Sequence, residues 1–187
     1  MRLPSRSALF KGCGVVALPL MLSACSWSWF GLNSAARTTA HPTGWLNVAP
    51  THDFAYMPAR SGRVSPNRIE NTAMTGIVLK NDINESVRNG VANSLRLAGF
   101  HMDESRRTLS GSIEAFTVDD ARTPAHWTLK MRYVVTDPTT QTVVYTTTKT
   151  VRHKCPKFTS NTIAIEDTVK MSVDALIDDP GFVKAVN

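Results

Sequence analysis

The stretch HWTLKMRYVVT, residues 126–136, alternates more strictly than any other part of this chain. Trp127, Leu129, Met131, Tyr133 and Val135 fall on one side, with Thr128, Lys130 and Arg132 on the other. A period of two over ten or more residues is the pattern of a strand with one buried face. Asp137-Pro138-Thr139-Thr140 follows as a turn with proline at its second position. QTVVYTTTKTV then returns, with Val143, Tyr145 and Val151 on one face, so residues 127–136 and 141–151 predict a hairpin. A hairpin with one apolar face is marginal alone and demands more strands and a helical cover.

The surrounding sequence supplies both. TLSGSIEAF places Leu109, Gly111 and Ile113 on one face, after which Phe116 and Val118 continue in the other phase. A phase switch of this kind predicts a bulge near Ala115. NDINESVRNGVANSLRLAGF carries Ile83, Val87, Val91, Leu95 and Ala98 at helical spacing. Asp82 and Glu85 have the spacing of a capping box, and Gly99 with Phe100 suits a left-handed C-terminal cap. Gly90 inside this helix costs about 1 kcal/mol against alanine, which predicts a close contact with a neighbouring strand. A second helix is expected from Ser160 or Asn161, with Ile165, Val169, Val173 and Leu176 as its stripe and Asp178-Asp179-Pro180 as its stop. Residues 180–186 can add a last turn. Residues 45–56 hold short apolar pieces that suit one N-terminal strand, and Ile77, Val78 and Leu79 suit a short strand before the helix. MPARSGRVSPNRIEN, residues 57–71, reads as a loop. The expected fold is α+β: a two-layer sandwich with a mainly antiparallel sheet of three to four strands and two amphipathic helices.

The front of the chain has a different character. Arg2, Arg6 and Lys11 precede an apolar run over residues 12–24, the layout of a secretory signal peptide. The run is shorter than the roughly 20 apolar residues that cross a bilayer. Leu22-Ser23-Ala24-Cys25 resembles the lipobox of bacterial lipoproteins. That resemblance implies cleavage just before Cys25 and three acyl chains on it, enough for stable attachment where one chain is not. Ser26, by similarity to Gram-negative sorting signals, implies the outer membrane, on its periplasmic face. The organisation expected is a signal peptide at 1–24, a lipidated tether at 25–43 and a periplasmic domain at 44–187. Trp27, Trp29 and Phe30 either rest in the headgroup layer or pack on the domain.

Charge and cysteine content narrow the function classes. Arg2, Arg6 and Lys11 account for half of the formal charge of +6, so the remainder is too weakly basic to argue for nucleic acid. Of the three cysteines, Cys13 leaves with the signal and Cys25 is acylated. Cys155 then has no intrachain partner, and is either a buried, inert thiol or the site of an intermolecular disulfide. Arg60, Arg63 and Arg68 form a basic cluster, expected to have no acidic partner close by. It is a solvated loop or a contact for an anionic headgroup, a sugar phosphate or a protein partner. His153 and Cys155 share a strand face, yet a structural zinc site needs four ligands and no second pair has suitable spacing. No glycine-rich phosphate loop or G-x-S-x-G elbow occurs. Asp119-Asp120 and Asp178-Asp179 read as turn and stop chemistry. No cofactor and no metal are expected.

The lipobox, VRNGVANSLRLAGF, LSGSIEAF, WTLKMRYVVTD with VVYTTTKT, and the closing LIDDPGFVKAV together resemble the YajG-like bacterial lipoproteins. More broadly they are similar to small envelope lipoproteins, including the LptE-like and ABC-transport auxiliary lipoproteins. The likeness runs over residues 77–186. It implies a small non-enzymatic α+β domain hung from the outer membrane; no site residues carry over, because the matching positions are core positions. The leading expectation is an adaptor or accessory subunit in envelope assembly or lipid transport, with an envelope protein as partner and self-association left open. The alternatives are a regulator of peptidoglycan synthesis, a lipid or small-ligand carrier, and an enzyme using Cys155. Residues 26–43 span about 60 Å at most, a short reach for the regulator.

Overall fold

Strand β6 (Thr108–Asp119) runs through the middle of the sheet, and four of the seven other strands pair with it. The computed structural model describes residues 44–71, 76–157 and 159–187. The expected signal peptide, the tether with Trp27, Trp29 and Phe30, and the acylation site at Cys25 lie outside the described residues.

On one side β6 pairs antiparallel with β7 (Ala125–Thr136), which pairs antiparallel with β8 (Val143–Cys155). This is the expected hairpin, with Asp137 accepting from the amides of Thr139 and Thr140 in the turn. β8 runs further than expected, because Arg152, His153, Lys154 and Cys155 continue its alternation. On its other side β6 receives three short strands in succession, all parallel to it. β1 (Trp45–Val48) pairs at Thr108 and Leu109. β2 (Phe54–Tyr56) pairs at Gly111 to Ile113, and β3 (Arg68–Asn71) pairs at Thr117 and Val118. Beyond them β4 (Ile77–Val78) pairs antiparallel with β3, and β5 (His101–Met102) parallel with β1.

The sheet therefore has eight strands of mixed direction, which corrects the expected three to four mainly antiparallel strands; the α+β class stands. The physical reason is length. At about 3.3 Å per residue, the 12 residues of β6 offer roughly 40 Å of edge, room for several short partners end to end. Those partners are two to four residues long, too short to display a period, and Pro50, Pro58 and Pro66 interrupt them. The expected loop at 57–71 accordingly contains a one-turn helix, α1 (Met57–Arg60), and β3. The bulge falls where the phase switch put it: the register shifts between Ile113 and Ala115, so Leu109, Ile113, Phe116 and Val118 are all buried.

Three further helices cover one face of the sheet. In α2 (Ile83–Leu97) the residues Ile83, Val87, Val91 and Leu95 are buried with Ala92. Its C-terminus closes as a Schellman motif: Phe100 N–H donates to the Leu95 carbonyl at 3.0 Å, Gly99 N–H donates to Arg96, and Gly99 has φ +95°. The expected capping box at the other end does not form; Asp82 is the N-cap without a side-chain bond, and Asn84 accepts from the Glu85 amide instead. Gly90 faces α3 (Asn161–Ile177) and not a strand, which corrects the sequence reading: a Cβ there would stand 3.0 Å from Val169 Cγ1. The missing side chain lets the two helices approach closely. α3 buries Ile165, Val169, Val173 and Leu176 as expected, and also Thr168 and Ser172. Thr168 donates back to the Ala164 carbonyl, while Ser172 shares a hydrogen bond of 2.8 Å with the buried Tyr133 hydroxyl of β7. The last turn is α4 (Pro180–Val186), whose Phe182 is fully buried between Phe100 and Tyr145.

Gly90→Leu is expected to cost about 1–3 kcal/mol by overpacking the α2–α3 contact. Tyr133→Phe is expected to cost about 1–2 kcal/mol by leaving the Ser172 hydroxyl unpaired in the core. Urea denaturation of each variant measures both.

Candidate functional site

The arginines singled out by sequence come from α1, the turn after it, and β3. Arg60 closes α1 and is exposed. Arg63 reaches Glu70 of β3 at 3.2 Å, which corrects the expectation that the cluster has no acidic partner close by. Arg68 anchors locally: its carbonyl accepts from the Tyr56 hydroxyl at 3.0 Å, and its side chain lies under Gly76, whose φ of +78° leaves no room for a Cβ. Burial first, and Glu70 second, push the Tyr56 hydroxyl well above the usual tyrosine range. Of the three, Arg60 alone has no ion pair or hydrogen bond from its side chain among the described residues.

A second cationic feature was not visible as a unit in the sequence. The helices cover one face of the sheet, and the other face carries the alternate residues of β6, β7 and β8. Lys130 and Arg132 of β7 are exposed there, as Thr128 and His126 partly are. On β8 the same face shows Thr146, Thr148, Thr150, Arg152 and Lys154. In register, Arg152 lies opposite Thr128 and Lys154 opposite His126. Residues two apart on a strand are about 7 Å apart, so Arg132, Lys130, Arg152 and Lys154 form a diagonal row across the hairpin. Glu114 pairs with Lys130 at 2.9 Å, and Arg132 Nε donates to Ser112 at 3.4 Å. Arg152 and Lys154 make no ion pair among the described residues. The rest of this face is mainly threonine and serine hydroxyl, with Ala115, Asp119, His126, Val134 and Val144 among them, which suits reversible polar contact more than chemistry. The signal that could have found the row was the continued alternation through Arg152 and Lys154.

The remaining candidates separate in space. Cys155 is buried at the end of β8, which favours its reading as an inert thiol. His153, on the same face, points to Asp167 of α3 at 3.9 Å. Among the described residues no three His, Cys, Asp or Glu side chains form a group that could hold a metal. Asp119 pairs with Arg122 at 2.9 Å. Asp178 ends α3, whereas its neighbour Asp179 caps α4 by accepting from the Gly181 amide at 2.9 Å.

Asp179 also meets Lys149 of β8 at 2.7 Å, and this pair fastens α4 to the sheet. The Lys149 ammonium holds the Asp179 carboxyl down to about 2. The Tyr145 hydroxyl is buried beside it without a hydrogen bond of ordinary geometry. Burial, and then its contact with the Asp179 carboxylate, push that tyrosine up to about 12. The arrangement is a structural clasp, largely shielded from water.

No family model matches the chain, and no curated protein matches it. Solved structures do. The protein XCC0632 from Xanthomonas campestris, described by the family model DUF330, superposes with a TM-score of 0.50 at 16% identity, covering 72% of this chain and 80% of that one. The PelC dodecamer from Paraburkholderia phytofirmans gives a TM-score of 0.42 at 15% identity, covering 72% of this chain and 86% of that one. The first likeness shows a shared fold; at this identity it says nothing of activity.

Because the folded Asp179 titrates lower than an unfolded aspartate near 4, its contribution to stability is complete above about pH 4 and is lost as the pH falls toward 2. Thermal melts across that window should show a smaller loss of Tm for Lys149→Met than for the parent chain.

Proposed function

We propose that this chain is a lipid-anchored lipoprotein on the periplasmic face of the outer membrane, acting as a non-enzymatic adaptor or accessory subunit in envelope assembly or lipid transport. The observation that carries the docking part is the face of the sheet that no helix among the described residues covers, with its diagonal of Arg132, Lys130, Arg152 and Lys154 among hydroxyl groups. A surface that is flat, polar and positively charged matches an acidic partner and steers its approach. The lipobox at Leu22-Ser23-Ala24-Cys25 supports the anchor. No helix among the described residues is long and apolar enough to cross a membrane.

Self-association is the second reading, and one observation favours it. The outer edge of β8 has no strand partner among the described residues, and 13 residues of open edge are a template for another strand.

Crosslinking of the tagged full-length chain in living cells, followed by mass spectrometry, tests both. The double variant Arg152→Glu, Lys154→Glu should lower recovery of the crosslinked partner about tenfold while the amount in the outer-membrane fraction holds. Unchanged recovery would remove the cationic face from the reading. Recovery of the chain alone would favour the second.

A further inference from the structure

The two ends of the sheet differ in what they expose. At the end where β1 meets the start of β6, Trp45 is 51% exposed and Leu97 is 83% exposed. Trp45 pairs in register with His101, and its ring stacks on the imidazole with centroids 4.6 Å apart. Leu97 is the last residue of α2, four positions before His101, and the Gly99 turn carries the chain from one to the other. Two cations at this end are paired, Arg106 with Asp103 at 3.7 Å and Arg107 with Asp137 at 3.7 Å, while Arg96 beside Leu97 donates to the neutral Asn93. Val78 at 62% and Ile163 at 50% are exposed away from this end, so what distinguishes it among the described residues is the uncovered indole, with Leu97 the most exposed of the large apolar side chains.

Trp45 opens the first strand after residue 43, so this end of the sheet is the one nearest Cys25 along the chain. The 20 residues from Cys25 to Trp45 reach about 70 Å at most. The cationic end, at Thr117 and Thr128, lies nine residues further along β6, or about 30 Å away. Indole rings favour the water–hydrocarbon boundary, where one edge is wet and the face is buried.

We infer that Trp45, with its His101 stack, and Leu97 rest in the headgroup layer of the bilayer that holds the Cys25 lipid. The inference rests on the acylation proposed above. It adds an orientation: the domain stands on its β1–β5 end, and Arg152 and Lys154 are held about 30 Å out from the membrane, toward a partner.

The experiment uses the full-length chain carrying Trp27→Phe and Trp29→Phe, so that emission comes from Trp45 and the buried Trp127. The chain is produced in cells fed labelled palmitate and reconstituted in phosphatidylethanolamine–phosphatidylglycerol vesicles. Flotation reads attachment, and quenching by acyl-brominated lipid or by aqueous iodide reads the position of Trp45. The expected result is a labelled, floating chain that loses roughly half its emission to brominated lipid and little to iodide. Trp45→Phe should abolish the lipid effect, and Leu97→Asp should restore quenching by iodide. Both positions are exposed, and an unchanged melting temperature verifies folding. A labelled, floating chain quenched by iodide alone, or by neither agent, overturns the bilayer contact and leaves the anchor standing. An unlabelled chain that floats with lipid quenching overturns the anchor and supports the contact. A chain that neither takes label nor floats overturns both.

Discussion

The pairing of β6 on both edges is the constraint from which the rest of the molecule follows. Its antiparallel edge takes β7 along nearly the whole strand, while its other edge takes β1, β2 and β3 in parallel, one after another. Each short strand satisfies its backbone groups only because a long neighbour is already there, since two to four residues cannot hold an extended shape alone. Buried side chains on β6 and β7 then define one floor: Leu109, Ile113, Phe116, Leu129, Met131 and Tyr133. Helices α2 and α3 are laid on that floor, and the Gly90–Val169 approach and the Tyr133–Ser172 bond fix their distance and rotation.

This arrangement divides the molecule into a side made for stability and a side free for contact. Titratable groups near the helices are spent on fastening: Lys149 and Asp179 hold α4, and Arg88 donates to the carbonyls of Val48 and Ala49. The opposite face of the sheet has no such duties beyond the Lys130–Glu114 pair and its neighbours. A partner meeting this face would replace water over threonine hydroxyls and a row of cations. Such exchanges are individually small and therefore reversible.

What the sequence disclosed tracks the length of each repeating pattern. The hairpin and both long helices were legible because Trp127 to Val135, Ile83 to Leu95 and Ile165 to Leu176 each sustain one period for two turns or more. The bulge was legible for the same reason, as an interruption in an otherwise clean count. Residues 45–56 suggested one strand where the fold has β1 and β2, and β3 was hidden in an apparent loop, because the identity of these strands comes from β6, sixty or so positions away in the case of β1, and not from their own residues. Gly90 was read as a close contact, yet composition could not say that its neighbour was Val169. The arginine loop shows the converse limit. Arg63 looked unpartnered because Glu70 follows seven positions later, across a turn that only folding closes. The cationic row needed the β7–β8 register, which joins Lys130 and Arg132 to Arg152 and Lys154.

The bulge between Ile113 and Ala115 has a consequence for how β6 can change in length. Ile113 faces Met131 and Ala115 faces Lys130, so Glu114 occupies a place the ladder does not count. Removing one residue elsewhere in the strand would turn every later side chain to the wrong face, sending Phe116 and Val118 into water. Removing Glu114 would leave all the buried positions where they are, at the loss of its bond to Lys130 and of the local twist that a bulge supplies. β6 thus carries one spare residue, and its two halves keep separate frames that this residue reconciles.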